Sequence, residues 1–156
     1  MEALVTLLTR EKTLVELLVF KLVALRQLLL AGETRFLPWA AEEVDRATLA
    51  VRDAEVERAV LVAALGAERG LDEPVLTELV SDAPDVWRGL LTQLHEELRA
   101  SAGEVADLLT STRRLADVGA RSLAEAMGEQ RETVGATYGP DGRAVASGRA
   151  RYEQVL

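Results

Sequence analysis

Leucine residues recur at helical spacing through the first 31 residues of the chain. Most of them share the a and d positions of one heptad register, and further leucines widen the stripe on one side. The residues in register are Leu4, Leu7, Leu14, Leu18, Leu25 and Leu28. Glu11 and Lys21 stand where this register is broken. Because glycine closes helices readily, Gly32 completes a pattern that predicts one helix over residues 2–31.

A second heptad register follows after a short break and mixes small with larger apolar residues. It contains Leu37, Ala40, Val44, Ala47, Val51, Ala54, Leu61 and Leu65. Arg58 is the exception within it, and Pro38 is compatible with a helix only in the first turn. The pattern predicts a helix over about residues 35–66. Two long amphipathic helices joined by so short a connection are typical of an antiparallel α-hairpin.

Two further helices are predicted after Gly66, each with a proline in its first turn. Pro74 begins a short helix over residues 74–80, and Pro84 begins a long one over residues 84–127. The long helix keeps one apolar register through Trp87, Leu91, Leu94, Leu98, Val105, Leu108 and Leu115. Glycines at positions 89, 103 and 119 weaken it by about 1 kcal/mol each relative to alanine.

The last segment, residues 128–156, holds five of the eleven glycines and has no firm apolar period. The sequence predicts a flexible tail with a turn over Tyr138–Gly142, and it allows a weak helix near the end. The expected fold is therefore all-α. An elongated antiparallel hairpin or bundle of three long helices and one short helix occupies residues 1–127, and the tail follows it.

Composition and charge narrow the classes of function. The formal charge is −8, from 26 acidic and 18 basic residues. Nucleic-acid binding depends on lysine and arginine neutralising phosphates, so this balance argues against it. The chain has no cysteine, which excludes disulfides and thiolate chemistry.

The sequence also bears on location. The amino terminus lacks the basic region of a secretory signal. The most hydrophobic window, residues 14–30, is interrupted by Glu16, Lys21 and Arg26. Since a spanning helix needs roughly 20 residues with few or no charges, we expect a soluble cytoplasmic protein.

No arrangement of residues predicts catalysis or a metal site. His95 is the only histidine, and Glu96 and Glu97 beside it point in different directions on a helix. The acidic run on the second helix is better interpreted as a solvated face with local partners such as Glu42–Arg46 and Glu55–Arg58. We therefore expect no enzyme activity, no cofactor and a surface position for His95.

The order of motifs resembles the FlgN family of flagellar export chaperones. The segment LLLAGE at residues 28–33 closes the first helix, residues 55–71 carry the alanine-rich return, and TYGPDG occupies residues 137–142. The resemblance implies a cytoplasmic chaperone without ATPase activity. Such a protein would bind the C-terminal helices of hook–filament junction (hook-associated) proteins and keep them competent for the flagellar type III export apparatus.

In that family the C-terminal portion binds the client, which implies that the second half of the third long helix and the tail form the client-facing surface. The residues expected there are Leu108, Leu115, Val118, Leu123, Met127, Val134 and Tyr138, with Tyr152 as a weaker candidate. Two alternatives stay open at this point: a coiled-coil homo-oligomeric scaffold, and a ligand- or metal-binding helical bundle enzyme, against which the single histidine argues. Whether the free protein forms a homodimer is also open.

Overall fold

The described residues of the chain fold into four α-helices followed by two short strands. The structure, a computed structural model, describes the backbone of residues 1–72, 74–134, 136–138 and 144–146, and the side chains of residues 1–72 and 74–127. The elements are α1 (Glu2–Ala31), α2 (Leu37–Ala67), α3 (Leu76–Ser81), α4 (Asp85–Val134), β1 (Ala136–Tyr138) and β2 (Ala144–Ala146). The all-α class with three long helices and one short helix is confirmed.

Helix α1 ends where the glycine signal predicts. Gly32 adopts a left-handed conformation with φ of 68°. Its N–H donates to the carbonyl of Leu29, and the N–H of Glu33 donates to that of Leu28 at 3.0 Å. These two bonds form the Schellman motif, which satisfies carbonyls that the end of a helix leaves without partners. One turn of 3₁₀ helix, Thr34–Phe36, then leads into α2.

Helices α1 and α2 form the predicted antiparallel hairpin, and ion pairs between them show the direction. Near the start of α1, Arg10 contacts Glu57 at 2.6 Å. Further along α1, Lys21 contacts Glu43 at 2.7 Å. Positions later on α1 thus face positions earlier on α2, as antiparallel packing requires.

The core of the helical part consists of two separate apolar clusters. The first core cluster joins all four helices and the loop before α4: Leu4, Leu8, Val62, Leu79, Val80, Ala83, Leu91 and Leu94. The second core cluster joins α1, α2 and α4: Val15, Leu18, Leu22, Val44, Ala47, Val51 and Leu108. The alanines of α2 allow its backbone to approach the leucine-rich α1 closely.

Two of the three residues that break the heptad registers, Glu11 and Arg58, meet between these clusters. Arg58 Nε donates to Glu11 Oε1 at 3.1 Å and lies 2.9 Å from Glu11 Oε2. Only 4% of Glu11 is exposed, whereas Arg58 keeps partial access to solvent. We call this pair the polar layer. The predicted local pair of Arg58 with Glu55 is wrong, because the guanidinium reaches across the hairpin instead.

Burial dominates the electrostatics of the polar layer. Desolvation raises the pKa of the Glu11 carboxyl above its ordinary value, and the nearby Arg58 guanidinium offsets only part of this effect. A raised pKa in the folded state favours protonated Glu11. The Glu11 carboxyl therefore contributes to stability below its unfolded-state pKa of 4.5, and this contribution is lost as the pH rises through its pKa in the folded state.

The end of α2 is shaped by a contact that the sequence does not reveal. Gly66, predicted to end the helix, lies buried inside its last turn, and a Cβ at this position would overlap the ring of Pro74. Gly70 supplies the left-handed residue instead, with φ of 72°. Because Pro74 packs on Gly66 and Val75 is extended, α3 begins at Leu76 rather than at the predicted position 74.

Helix α4 runs to Val134, beyond its predicted end at Met127. Strands β1 and β2 pair antiparallel, with Thr137 opposite Val145. The predicted turn lies largely in residues 139–143, and the weak helix expected near the end lies in residues 147–156; both ranges are outside the described residues. By contacts the chain divides into two compact units, 1–115 and 116–156, whereas the sequence analysis places a boundary after Met127.

The contact between Gly66 and Pro74 can be tested by paired glycine substitutions. We expect Gly66→Ala to destabilise the protein by about 1–3 kcal/mol, since the added methyl group overpacks the site. Gly103→Ala is the control, because a Cβ there meets nothing within 4 Å. It should stabilise α4 by about 0.5–1 kcal/mol. Urea denaturation measures both changes, and a neutral Gly66→Ala would contradict the packing described.

Unequal burial of the two partners predicts unequal substitution effects in the polar layer. Arg58→Met leaves a buried carboxylate without its partner, so we expect a loss of about 3–5 kcal/mol near neutral pH. Glu11→Leu leaves an arginine that can turn toward solvent, and it should cost less. The double variant should regain most of the stability lost in Arg58→Met.

The stability loss in Arg58→Met should depend on pH in one direction. The loss in Arg58→Met should shrink at about pH 4, where Glu11 is protonated more readily. The measurement is a double-mutant cycle. Denaturation curves are recorded for the unmodified protein, the two single variants and the double variant, near neutral pH and at about pH 4. Equal losses for the two single substitutions at both pH values would show that the pair is not buried as described.

Candidate functional site

Helix α4 differs from the hairpin helices in how its apolar residues are arranged. Apolar and polar positions are segregated onto opposite faces of α4 much more cleanly than on α1 or α2. An amphipathic helix of this kind buries its apolar face against a partner and leaves the other face to water. The candidate site is the part of α4 whose apolar side chains are exposed.

The first half of α4 packs its apolar face on the hairpin. Leu91 and Leu94 belong to the first core cluster, and Leu108 belongs to the second. Between them, Lys12 Nζ contacts Glu97 Oε2 at 2.7 Å. This hydrogen bond raises the pKa of Lys12 and lowers the pKa of Glu97, so each side chain favours the charged form of the other.

Within residues 1–115, residues early on α1 meet residues early on α4, and later ones meet later ones, so α1 and this part of α4 run parallel. Lys12 on α1 faces Glu97 on α4. From position 116 onward, α4 belongs to the second compact unit. Every residue from 116 to 127 is exposed.

Four of these exposed residues share one face of α4. They are Ala116, Ala120, Leu123 and Met127, and we call this set the uncovered face. Spacings of four, three and four residues place them in one line along a helix. Ala116 follows Val105, a residue packed on the second core cluster, by eleven residues, or about three turns. Along the sequence, the uncovered face therefore continues the apolar periodicity of α4.

The opposite side of this segment is polar. Asp117, Arg121 and Glu125 alternate in sign at four-residue spacing, and Arg121 Nε donates to the carbonyl of Asp117 at 3.2 Å. Val118 lies two residues after Ala116, roughly 200° around the helix at 3.6 residues per turn. Val118 is thus an exposed apolar residue on the polar side.

The structure places the eight residues predicted to contact a client in three groups. Leu123 and Met127 lie together on the uncovered face, with 63% and 59% exposed, and Val118 is exposed on the other side. Leu108 is buried in the second core cluster and Leu115 is half-buried, so Leu108 forms core instead of the expected surface.

The third group lies at the carboxyl end. Val134 is the last residue of α4 and Tyr138 ends β1, but their side chains are outside the described residues, as is all of Tyr152. Sequence reasoning missed Ala116 and Ala120. Their spacing to Leu123 carries the signal, but alanine is common throughout this chain and does not stand out.

A polar cavity of about 320 Å³ opens beside the polar layer. Its wall includes Glu11, Arg58, Thr77, His95 and Arg99. His95, predicted at the surface, is half-buried in this wall. Carboxylate and guanidinium groups are both present, so the cavity extends the polar layer toward solvent.

Neither a metal centre nor a membrane span is found in the described part of the chain. Among its residues, no three histidine or acidic side chains are grouped closely enough to hold a metal ion. No helix there combines the length and apolar character needed to cross a bilayer.

Comparisons with protein families, with curated proteins and with solved structures give no match for this chain.

Proposed function

We propose that this protein is a non-enzymatic export chaperone of the FlgN type, acting in the cytoplasm. Its clients would be the C-terminal helices of hook–filament junction proteins, which it would keep competent for the flagellar export apparatus. Two observations support the proposal. The order of sequence motifs resembles that family, and α4 carries an apolar face whose second part is uncovered.

The uncovered face suits a helical client in shape. Amphipathic helices bind grooves and faces of other helices through apolar residues at spacings of three and four. Ala116 and Ala120 allow a client backbone to approach closely, and Leu123 and Met127 supply the larger contacts. Methionine adapts its shape to different neighbours, which suits a surface that accepts more than one client.

The energy available from this face is moderate. Full burial of a leucine or methionine side chain contributes about 1.5–3 kcal/mol. Two such residues supply about 3–6 kcal/mol, so micromolar binding, about −8 kcal/mol after the costs of association, also needs the apolar side chains that the client itself buries. Binding of this strength is reversible, as release into an export channel requires.

The same contact explains how a client would be protected. A terminal helix that docks on α4 uses its own apolar face to do so. While bound, that face is hidden from other copies of the client, which lowers their tendency to associate. The chaperone needs no nucleotide for this, because release follows from mass action.

The test is isothermal calorimetry with C-terminal peptides of hook–filament junction proteins from the organism that encodes this chain. The intact protein should bind with a negative heat-capacity change, the mark of apolar burial. Leu123→Asp and Met127→Asp should each weaken binding by about tenfold or more, since a carboxylate replaces a buried apolar contact.

Val118→Asp is the matched control, because Val118 is 55% exposed on the same helix but lies outside the uncovered face. It should bind peptide like the unmodified chain. All three variants should keep the same circular dichroism spectrum, since none of the three residues is in the core. Equal weakening by all three substitutions, or no binding by the intact protein, would reject the proposed function.

A further inference from the structure

The outer side of α2 carries a second apolar surface. Leu49, Val56 and Val60 are 57%, 64% and 66% exposed. Their spacings of seven and four residues place them on one face, opposite the face that packs on α1. Ala63 and Ala67 continue the same line and are also exposed. We call these five residues the back face of α2.

The last nine residues of α2 are apolar on every side. From Ala59 to Ala67 the sequence reads AVLVAALGA and contains no charged residue. The charges just before it are already engaged, since Glu57 pairs with Arg10 and Arg58 with Glu11. A helix that is hydrophobic all round is normally buried. The inner side of this one is buried in the core, but its outer side faces solvent.

We propose that the back face of α2 binds the back face of a second copy of this chain, with the two α2 helices antiparallel about a two-fold axis near Val56. Charge favours a second copy as the occupant. The exposed charges along the outer side of α2 are Glu42, Asp45, Arg46, Arg52 and Asp53, which sum to −1. The chain as a whole carries −8, so this is a nearly neutral surface on which two copies meet with little net repulsion.

Side-chain size and charge together select the antiparallel arrangement. With the axis at Val56, Leu49 of one copy lies opposite Ala63 of the other, so a large side chain meets a small one. Arg52 lies opposite the uncharged Val60. A parallel arrangement would instead place Arg52 beside Arg52 and Asp53 beside Asp53, with like charges in contact. Isologous two-fold contact is also the commonest form of homodimer.

This inference goes beyond the proposed function and uses a different surface. The back face lies on α2, and the uncovered face lies on α4. Each can therefore be removed without altering the other, and failure of one proposal leaves the other standing.

Cysteine cross-linking can read the arrangement directly, because the chain has no cysteine of its own. Val56→Cys should form a disulfide-linked dimer under mild oxidation, since the axis brings the two positions together. Leu49→Cys alone should not, because its two copies lie about 21 Å apart along the antiparallel pair. A mixture of Leu49→Cys and Ala63→Cys chains should cross-link. Self-cross-linking of Leu49→Cys as readily as Val56→Cys would overturn the arrangement.

Sedimentation velocity over a range of concentrations supplies the second readout. The intact chain should shift from monomer to dimer as its concentration rises. Val60→Glu should weaken this association at least tenfold while keeping its affinity for client peptide, and Val118→Glu should behave like the intact chain. A monomer at all concentrations, or a dimer unaffected by Val60→Glu, would overturn the inference.

Discussion

The buried pair between Glu11 and Arg58 constrains everything built on the hairpin. A carboxylate that is 4% exposed requires a partner, and Arg58 contacts it across the hairpin. Sliding α2 by one heptad would place apolar residues against this carboxylate and Arg58 against apolar residues. The pair therefore sets the register of α1 and α2, a role that buried polar residues also play in coiled coils. Burial of the two charged groups carries a cost in desolvation.

The hairpin in turn determines which part of α4 is covered. Helix α1 has 30 residues and α4 has 50, and the two run parallel from nearly level starting points. Within residues 1–115 the apolar residues of α4 pack on the hairpin. Residues 116–127 of the same helix carry further apolar side chains, and these are exposed.

Sequence reasoning succeeded where the determining contacts are local. Gly32 donates its N–H to Leu29, three positions earlier, and Glu33 donates to Leu28, five positions earlier, so the end of α1 is visible in the sequence. Glu11 and Arg58 are visible as exceptions, but their pairing depends on the register between two helices 47 residues apart in sequence. The contact between Gly66 and Pro74 is likewise not visible in the sequence, because it depends on the path of the loop that follows α2.

The candidate site was predictable in part for a related reason. Periodicity identifies the apolar face of α4 but not the point at which its covering stops. Leu108 and Leu123 therefore look alike in sequence, although Leu108 is buried and Leu123 is exposed. That distinction depends on packing in three dimensions, such as the contacts of Leu108 with α1 and α2, which only the structure supplies.

Hydrogen exchange measured by mass spectrometry on the full chain, with and without client peptide, tests whether residues 116–127 of α4 bind the client. In the free protein the first half of α4 should exchange slowly, and residues 116–127 should exchange faster, because their side chains are exposed. Added peptide should slow exchange in residues 116–127 and leave α2 unchanged. Protection gained in α2 or in the first half of α4, with none in residues 116–127, would contradict the account.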